Sequence, residues 1–93
     1  MDTYNEHRMA TRSQLGSLSG KKLAVGARQL KKAVVAGQAK RVFLAQNADP
    51  AIVEPIAEIC RQHGAEALWV RTILDLGRAC GIEVGATAAA AVE

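Results

Sequence analysis

Arg28, Gln29, Lys31 and Lys32 stand in one short run behind Gly26, in the stretch GARQLKKAVVAG from Gly26 to Gly37. An arginine can fork onto the O6 and N7 of a guanine, and a glutamine can donate and accept at once. A lysine meets a phosphate as a point charge. If a helix opens at Ala27, its first free amides carry about half a positive charge between them. Gly26 would let a partner's backbone come close. The chemistry on offer is recognition of an anion and of a base edge, with no bond made or broken. A bidentate base contact is worth about 1–3 kcal/mol, and an exposed charge at a helix end about 0.3–1 kcal/mol. On that scale Arg28 and Gln29 would set discrimination, while Lys31 and Lys32 would set salt sensitivity. The competing reading of the same residues is the solvated face of an amphipathic helix.

Other chemistries find little support. Cys60 and Cys80 lack metal-ligand spacing and histidine neighbours, and both lie among apolar residues. Buried, reduced thiols are the expectation, with no metal site and no cofactor. His63 falls at a helix end, where the dipole accounts for it. No nucleophile, base and orienting acid line up in the sequence, so an enzyme is not expected. The start, MDTYNEHRMATRS, has no apolar centre of the secretory kind, and no apolar run is long enough to span a bilayer. A reducing cytoplasm is the expected compartment.

Charge is segregated along the chain. From His7 to Ala48 there are nine Lys and Arg and no Asp or Glu; from Asp49 to Glu93 there are three against seven. A net +3 therefore hides a strongly basic first half, which favours a polyanionic partner.

These residues must be positioned by folded elements. Residues 1–20 read as a flexible tail with at most a weak helical turn near Arg12–Leu18, and Met9 offers a second start codon. Residues 21–93 read as one domain. Lys21–Val25 is extended. Ala27, Leu30, Ala33 and Val34 recur at helical spacing, and Gly37 ends that helix. Val42–Ala45 suits a buried strand. Asp49 and Pro50 start a helix whose apolar stripe is Ile52, Val53, Ile56, Ile59 and Cys60. It runs to about His63, stops at Gly64, and carries Pro55 as a candidate bend. Ala67–Val70 is a strand, Thr72 caps the next helix with Asp75 at capping-box spacing, and that helix ends near Cys80-Gly81. Ala86–Val92 is a last, small-residue strand. Strands alternating with helices predict an α/β domain, its mostly parallel or mixed sheet packed by helices.

Three motifs in order give the chain a resemblance: GARQLKKAVVAG, LAQNADP and VRTILDLGRACGIEVG. Together they resemble the kink-turn-binding ribosomal proteins of the L7Ae and L30e type, over about residues 20–92. The last motif is the most specific of the three. The resemblance implies a three-layer α-β-α sandwich around a mixed four-stranded sheet. It implies binding to a sharply bent helix–bulge–helix RNA with tandem G·A pairs. By that likeness Gly26, Arg28 and Gln29 enter the groove at the kink, and Lys32 meets backbone; Ala27 and Lys31, beside them in the run, are expected to join the RNA contact. Asp49 and Val53 cover a flipped-out base. Val70, Arg71, Thr72 and Ile73 pack over the bulge. The family's helix start carries Asn and Glu where this chain has Arg28 and Gln29. A carboxylate acceptor for a guanine amino group is thus replaced by an uncharged carbonyl. The implied partner is structured RNA, ribosomal RNA among the candidates; the sequence leaves the oligomeric state open, with a monomer favoured. A protein-docking module on the same fold, binding no RNA, is the alternative.

Overall fold

The computed structural model describes residues 8–92. The elements form where local chemistry predicts them. β1 is Leu23–Val25, and α2, Ala27–Val35, follows one residue later. The first helix, α1, is Arg12–Gly16. β2, Arg41–Ala45, leads to α3, Pro50–His63; β3, Glu66–Val70, leads to α4, Ile73–Cys80; β4, Ala88–Ala91, is last. The α2 terminus is closed by Gly37 N–H to the Val34 carbonyl at 3.0 Å and Gln38 N–H to the Ala33 carbonyl at 2.9 Å. These satisfy carbonyls that the helix end would leave bare. α3 runs through Pro55 to His63 without a break in its assignment.

The four strands form one mixed sheet in the order β1-β4-β2-β3. β2 and β3 are parallel, with Val42 opposite Ala67 and Ala45 opposite Val70. β4 runs antiparallel to both β1 and β2. Helices α2 and α3 pack together on one side of the sheet, and α4, joined by α1, lies on the other. The result is the expected three-layer α-β-α sandwich. In β2, Val42 to Ala45 are all buried, as a strand covered on both faces requires. Beside it β4 is built only from alanine, and Ala88, Ala89 and Ala90 are 0% exposed. Alanine is a poor strand former. Here pairing on both sides imposes the conformation, and small side chains let the helical layers sit close.

Residues 8–20 differ from the expected flexible tail. Ala10 N–H donates to the Trp69 carbonyl at 2.8 Å, and Trp69 N–H to the Arg8 carbonyl at 2.7 Å. Met9 thereby pairs in parallel with Trp69 outside the named strands. Thr11 then caps α1 in a reciprocal box, with Gln14 N–H to Thr11 Oγ1 at 3.1 Å and Thr11 N–H to Gln14 Oε1 at 2.8 Å. Leu18 is 1% exposed. The segment is fixed by backbone pairing, a cap and one buried leucine, none of which needs a long apolar pattern. Residues 1–7 of the expected tail lie outside the described residues.

This topology gathers the loops on one rim of the sheet. β1, β2 and β3 all point the same way, so their C-terminal ends meet the start of β4. Gly26 N–H bonds the Ala88 carbonyl at 3.0 Å, Ala45 N–H the Thr87 carbonyl at 2.9 Å, and Gln46 N–H the Val70 carbonyl at 2.8 Å. Backbone bonds therefore lock all three loop origins to one edge of the sheet.

Candidate nucleic-acid interface

The first loop is a single residue. Gly26 has φ +96° and ψ 155°, a region that a side chain makes costly. It turns the chain sharply from β1 into α2, while its carbonyl accepts the Leu30 N–H at 3.1 Å. No side chain caps the α2 amides, and no acidic residue stands in the first turn. Arg28 and Gln29 are exposed there, Lys32 is exposed one turn on, and Ala27 and Lys31 are half-buried. A helix start with no side-chain cap, an exposed arginine in its first turn and no acidic residue there is an anion-attracting feature.

The second loop runs from Gln46 to Asp49. Asp49 is exposed, and its Oδ1 accepts the Ala51 N–H at 3.0 Å, so it caps α3. Val53 is only 3% exposed and is largely core. It lines the wall of a hollow of about 350 Å³ with Gln46, Pro50, Glu54 and Trp69. The expected pairing of Asp49 with Val53 thus joins an open carboxylate to a mostly covered valine.

The third loop links β3 to α4. Val70 is buried, Arg71 is exposed, and Thr72 and Ile73 are half-buried. Thr72 Oγ1 accepts the Asp75 N–H at 3.0 Å, as its spacing predicts. Ile73 N–H has a partner that sequence reasoning missed: it donates to Asn47 Oδ1 at 2.8 Å. Asn47 thereby ties the second loop to the third. Its place in a turn before a proline signals a side chain free to bond backbone. A partner 26 residues away carries no local signal. Behind this loop α4 presses on the segment before β4. A Cβ on Gly77 would collide with the Val84 carbonyl oxygen, and one on Gly85 with the Ile73 side chain. The Ala86 N–H also bonds the Ile73 carbonyl at 3.0 Å. The Gly77 and Gly85 positions of the LGRACGIEVG motif therefore serve a close helix–loop contact beneath the third loop.

The sheet order puts Gly26 and Val70 on the same rim, three inter-strand spacings apart, or about 14 Å. The three loops are brought to one edge. The arginines sort by partner. Arg8 and Arg41 both pair with Glu66, at 3.3 and 3.0 Å, and Arg61 pairs with Glu58. Among the described residues Arg12, Arg28 and Arg71 form no ion pair, and Arg78 stands 3.9 Å from Asp75.

The cysteines are free of disulfides. Cys60 is buried, and that burial pushes its thiol up to about 11, against a small opposing pull from Arg61. Cys80 is half-buried where full burial was expected, and partial burial raises its thiol too. Among the described residues no group of His, Cys, Asp and Glu is placed to hold a metal ion. Among the described residues no helix is long and apolar enough to cross a membrane.

Residues 7–93 match the model of the ribosomal protein L7Ae/L30e/S12e/Gadd45 family. The chain belongs to this family. Membership of the L7Ae/L30e family extends to residue 7, so it takes in α1 and the Arg8–Ala10 pairing. The family is non-enzymatic. An RNA-binding protein of Caldanaerobacter subterraneus is 41% identical over 71 residues, which is 76% of this chain and 87% of that one. One from Bacillus pumilus is 37% identical over 73% of this chain and 83% of its own. The large ribosomal subunit protein eL8 of Halobacterium salinarum is 40% identical over 72% of this chain but 57% of its own. Among solved structures, the Giardia lamblia 15.5kD RNA binding protein superposes with a TM-score of 0.76 at 26% identity, covering 91% of this chain and 78% of that one.

Proposed function

We propose that the protein binds RNA through the rim, and that its preferred target is a kinked helix–bulge–helix with tandem G·A pairs. Its RNA-binding relatives and its L7Ae/L30e membership support the RNA partner. The observation that carries the reading is the convergence of the uncapped α2 start, with Arg28 unpaired among the described residues, and the Arg71 loop on one sheet edge. Cationic loops whose origins lie about 14 Å apart on the rim offer two separate grips on one ligand.

In this reading the α2 terminus enters the groove at the bend. Arg28 reads guanine, and the Gln29 carbonyl accepts from a guanine amino group. Lys31 and Lys32 hold phosphates, and Gly26 allows the close approach. The flipped-out base enters the hollow beside Asp49, against Val53. Val70, Arg71, Thr72 and Ile73 close over the bulge, with Arg71 supplying the charge. Ribosomal RNA is one source of such an element.

Titration against a kinked RNA, and against the same RNA with its G·A pairs replaced by Watson–Crick pairs, tests the reading. Preference for the kinked form is expected. Equal affinity for both would reduce the interaction to charge attraction. Binding to neither, with a protein partner recovered instead, would turn the fold into a docking module.

A further inference from the structure

The rim does not end at Arg71. A groove of about 570 Å³ leads from Val70 and Arg71 along the outer face between α1 and α4. Three elements each send one arginine into it: Arg12 from α1, Arg71 from the third loop and Arg78 from α4. One carboxylate, Asp75, faces them, and at 3.9 Å from Arg78 it leaves that guanidinium's hydrogen-bond donors open. The groove carries a formal +2. Leu15 and Trp69 contribute apolar wall.

The arginines of this chain that glutamates hold lie elsewhere: Arg8 and Arg41 on Glu66, and Arg61 on Glu58. Arg12, Arg71 and Arg78 are three of the four that no carboxylate holds at hydrogen-bond distance among the described residues; Arg28 is the fourth. Arg12 is also anchored. The Arg8–Ala10 pairing with Trp69 and the Thr11 cap set its backbone one residue beyond a hydrogen-bonded cap. Guanidinium forks match phosphate oxygens in pairs, which ammonium groups cannot do.

From this geometry we infer that the Arg12–Arg71–Arg78 groove is a second RNA contact, taking the phosphodiester backbone of the stem that leaves the bend past the third loop. It rests on the rim reading above, and it extends the footprint from the kink onto α1 and α4. Arg12 and Arg78 set affinity and salt dependence there and read no base.

The test uses the full chain and two kinked RNAs, one with both stems about ten pairs long and one with the stem past the bulge cut to its minimum. Binding is followed by fluorescence anisotropy across a salt series. The double variant Arg12→Ala, Arg78→Ala is compared with the parent after thermal melting has shown both folded. The variant should bind the long-stem RNA roughly tenfold more weakly, with a salt slope lower by about 2. The two proteins should bind the short-stem RNA alike. Replacing both arginines with lysine should restore most of the slope. Unchanged binding of the long-stem RNA would overturn the inference. So would an equal loss on both RNAs, which would place these arginines at the kink itself. So would an equal loss toward polyglutamate, which would make the groove a seat for acidic protein. The Watson–Crick control separates the two readings. If the parent shows no preference for the kink, the rim reading fails and the groove's placement falls with it; a parent that prefers the kink beside a variant that binds the long stem equally well overturns the groove alone.

Discussion

Gly26 joins β1 to α2 at φ +96° and ψ 155°, and the proposed anion grip begins at the next residue. Replacing it with alanine costs about 1–3 kcal/mol of backbone strain. Gly26→Ala should therefore unfold at lower denaturant concentration, with an unchanged slope of the transition. Arg28 has no ion pair among the described residues, so its loss leaves the fold intact. Arg28→Ala should cut the preference for the G·A RNA over its Watson–Crick control by about 1–3 kcal/mol, read from the two dissociation constants. Asn47 stands one step back from the proposed RNA contact. Asn47→Ala strands the Ile73 N–H and should lower stability by about 1 kcal/mol on chemical denaturation. Asn47→Asp keeps the acceptor and places a negative charge at the α4 start, so stability should hold while RNA affinity falls.

At the level of elements, caps and breakers made the sequence readable. Asp49 before Pro50, Thr72 before α4, and glycine after α2, α3 and α4 all stand where their chemistry predicts. The strand β4 was legible as a run but not in its bounds: Ala86–Val92 was expected and Ala88–Ala91 pairs. A string of alanines has no periodicity, so only its partners fix where pairing stops. The Arg8–Ala10 pairing is invisible for a related reason, since a one-residue bridge leaves no repeat. In the site, the three loops were each legible from a motif. Their convergence came only with the strand order, and the Asn47–Ile73 bond only with the packing. The fit of α4 against the segment before β4 makes a further expectation. Gly77→Ala puts a methyl against the Val84 carbonyl, where backbone must move. It should destabilise by more than the few tenths of a kcal/mol of a surface change, and it should weaken RNA binding through the displaced third loop.

For the molecule as a whole, the core reports on itself through Cys60. Its thiol ionises near 9.0 when free and at about 11 when folded. The unfolded chain therefore loses this proton first. Stability from this group is whole below pH 9.0 and declines toward about 11. The fall reaches at most about 1.4 kcal/mol per pH unit. Cys60→Ala should flatten that alkaline limb in denaturant titrations, despite a lower plateau from the lost packing. Thiol-reactive probes should label half-buried Cys80 before Cys60, which reacts only as the fold opens. The basic first half acts at the same scale, through the summed field. Lys32→Ala should weaken RNA binding and lower its salt slope by about 1, measured across a potassium chloride series.

The pairing of Met9 with Trp69 has a bearing on assembly. A sheet with a bare margin invites a neighbour's strand. Here the chain's own Arg8–Ala10 covers the β3 margin at Trp69, and the opposite margin, β1, is three residues long and preceded by Lys21 and Lys22. Both margins thus offer a neighbouring chain only a short ladder, which works against joining copies edge to edge.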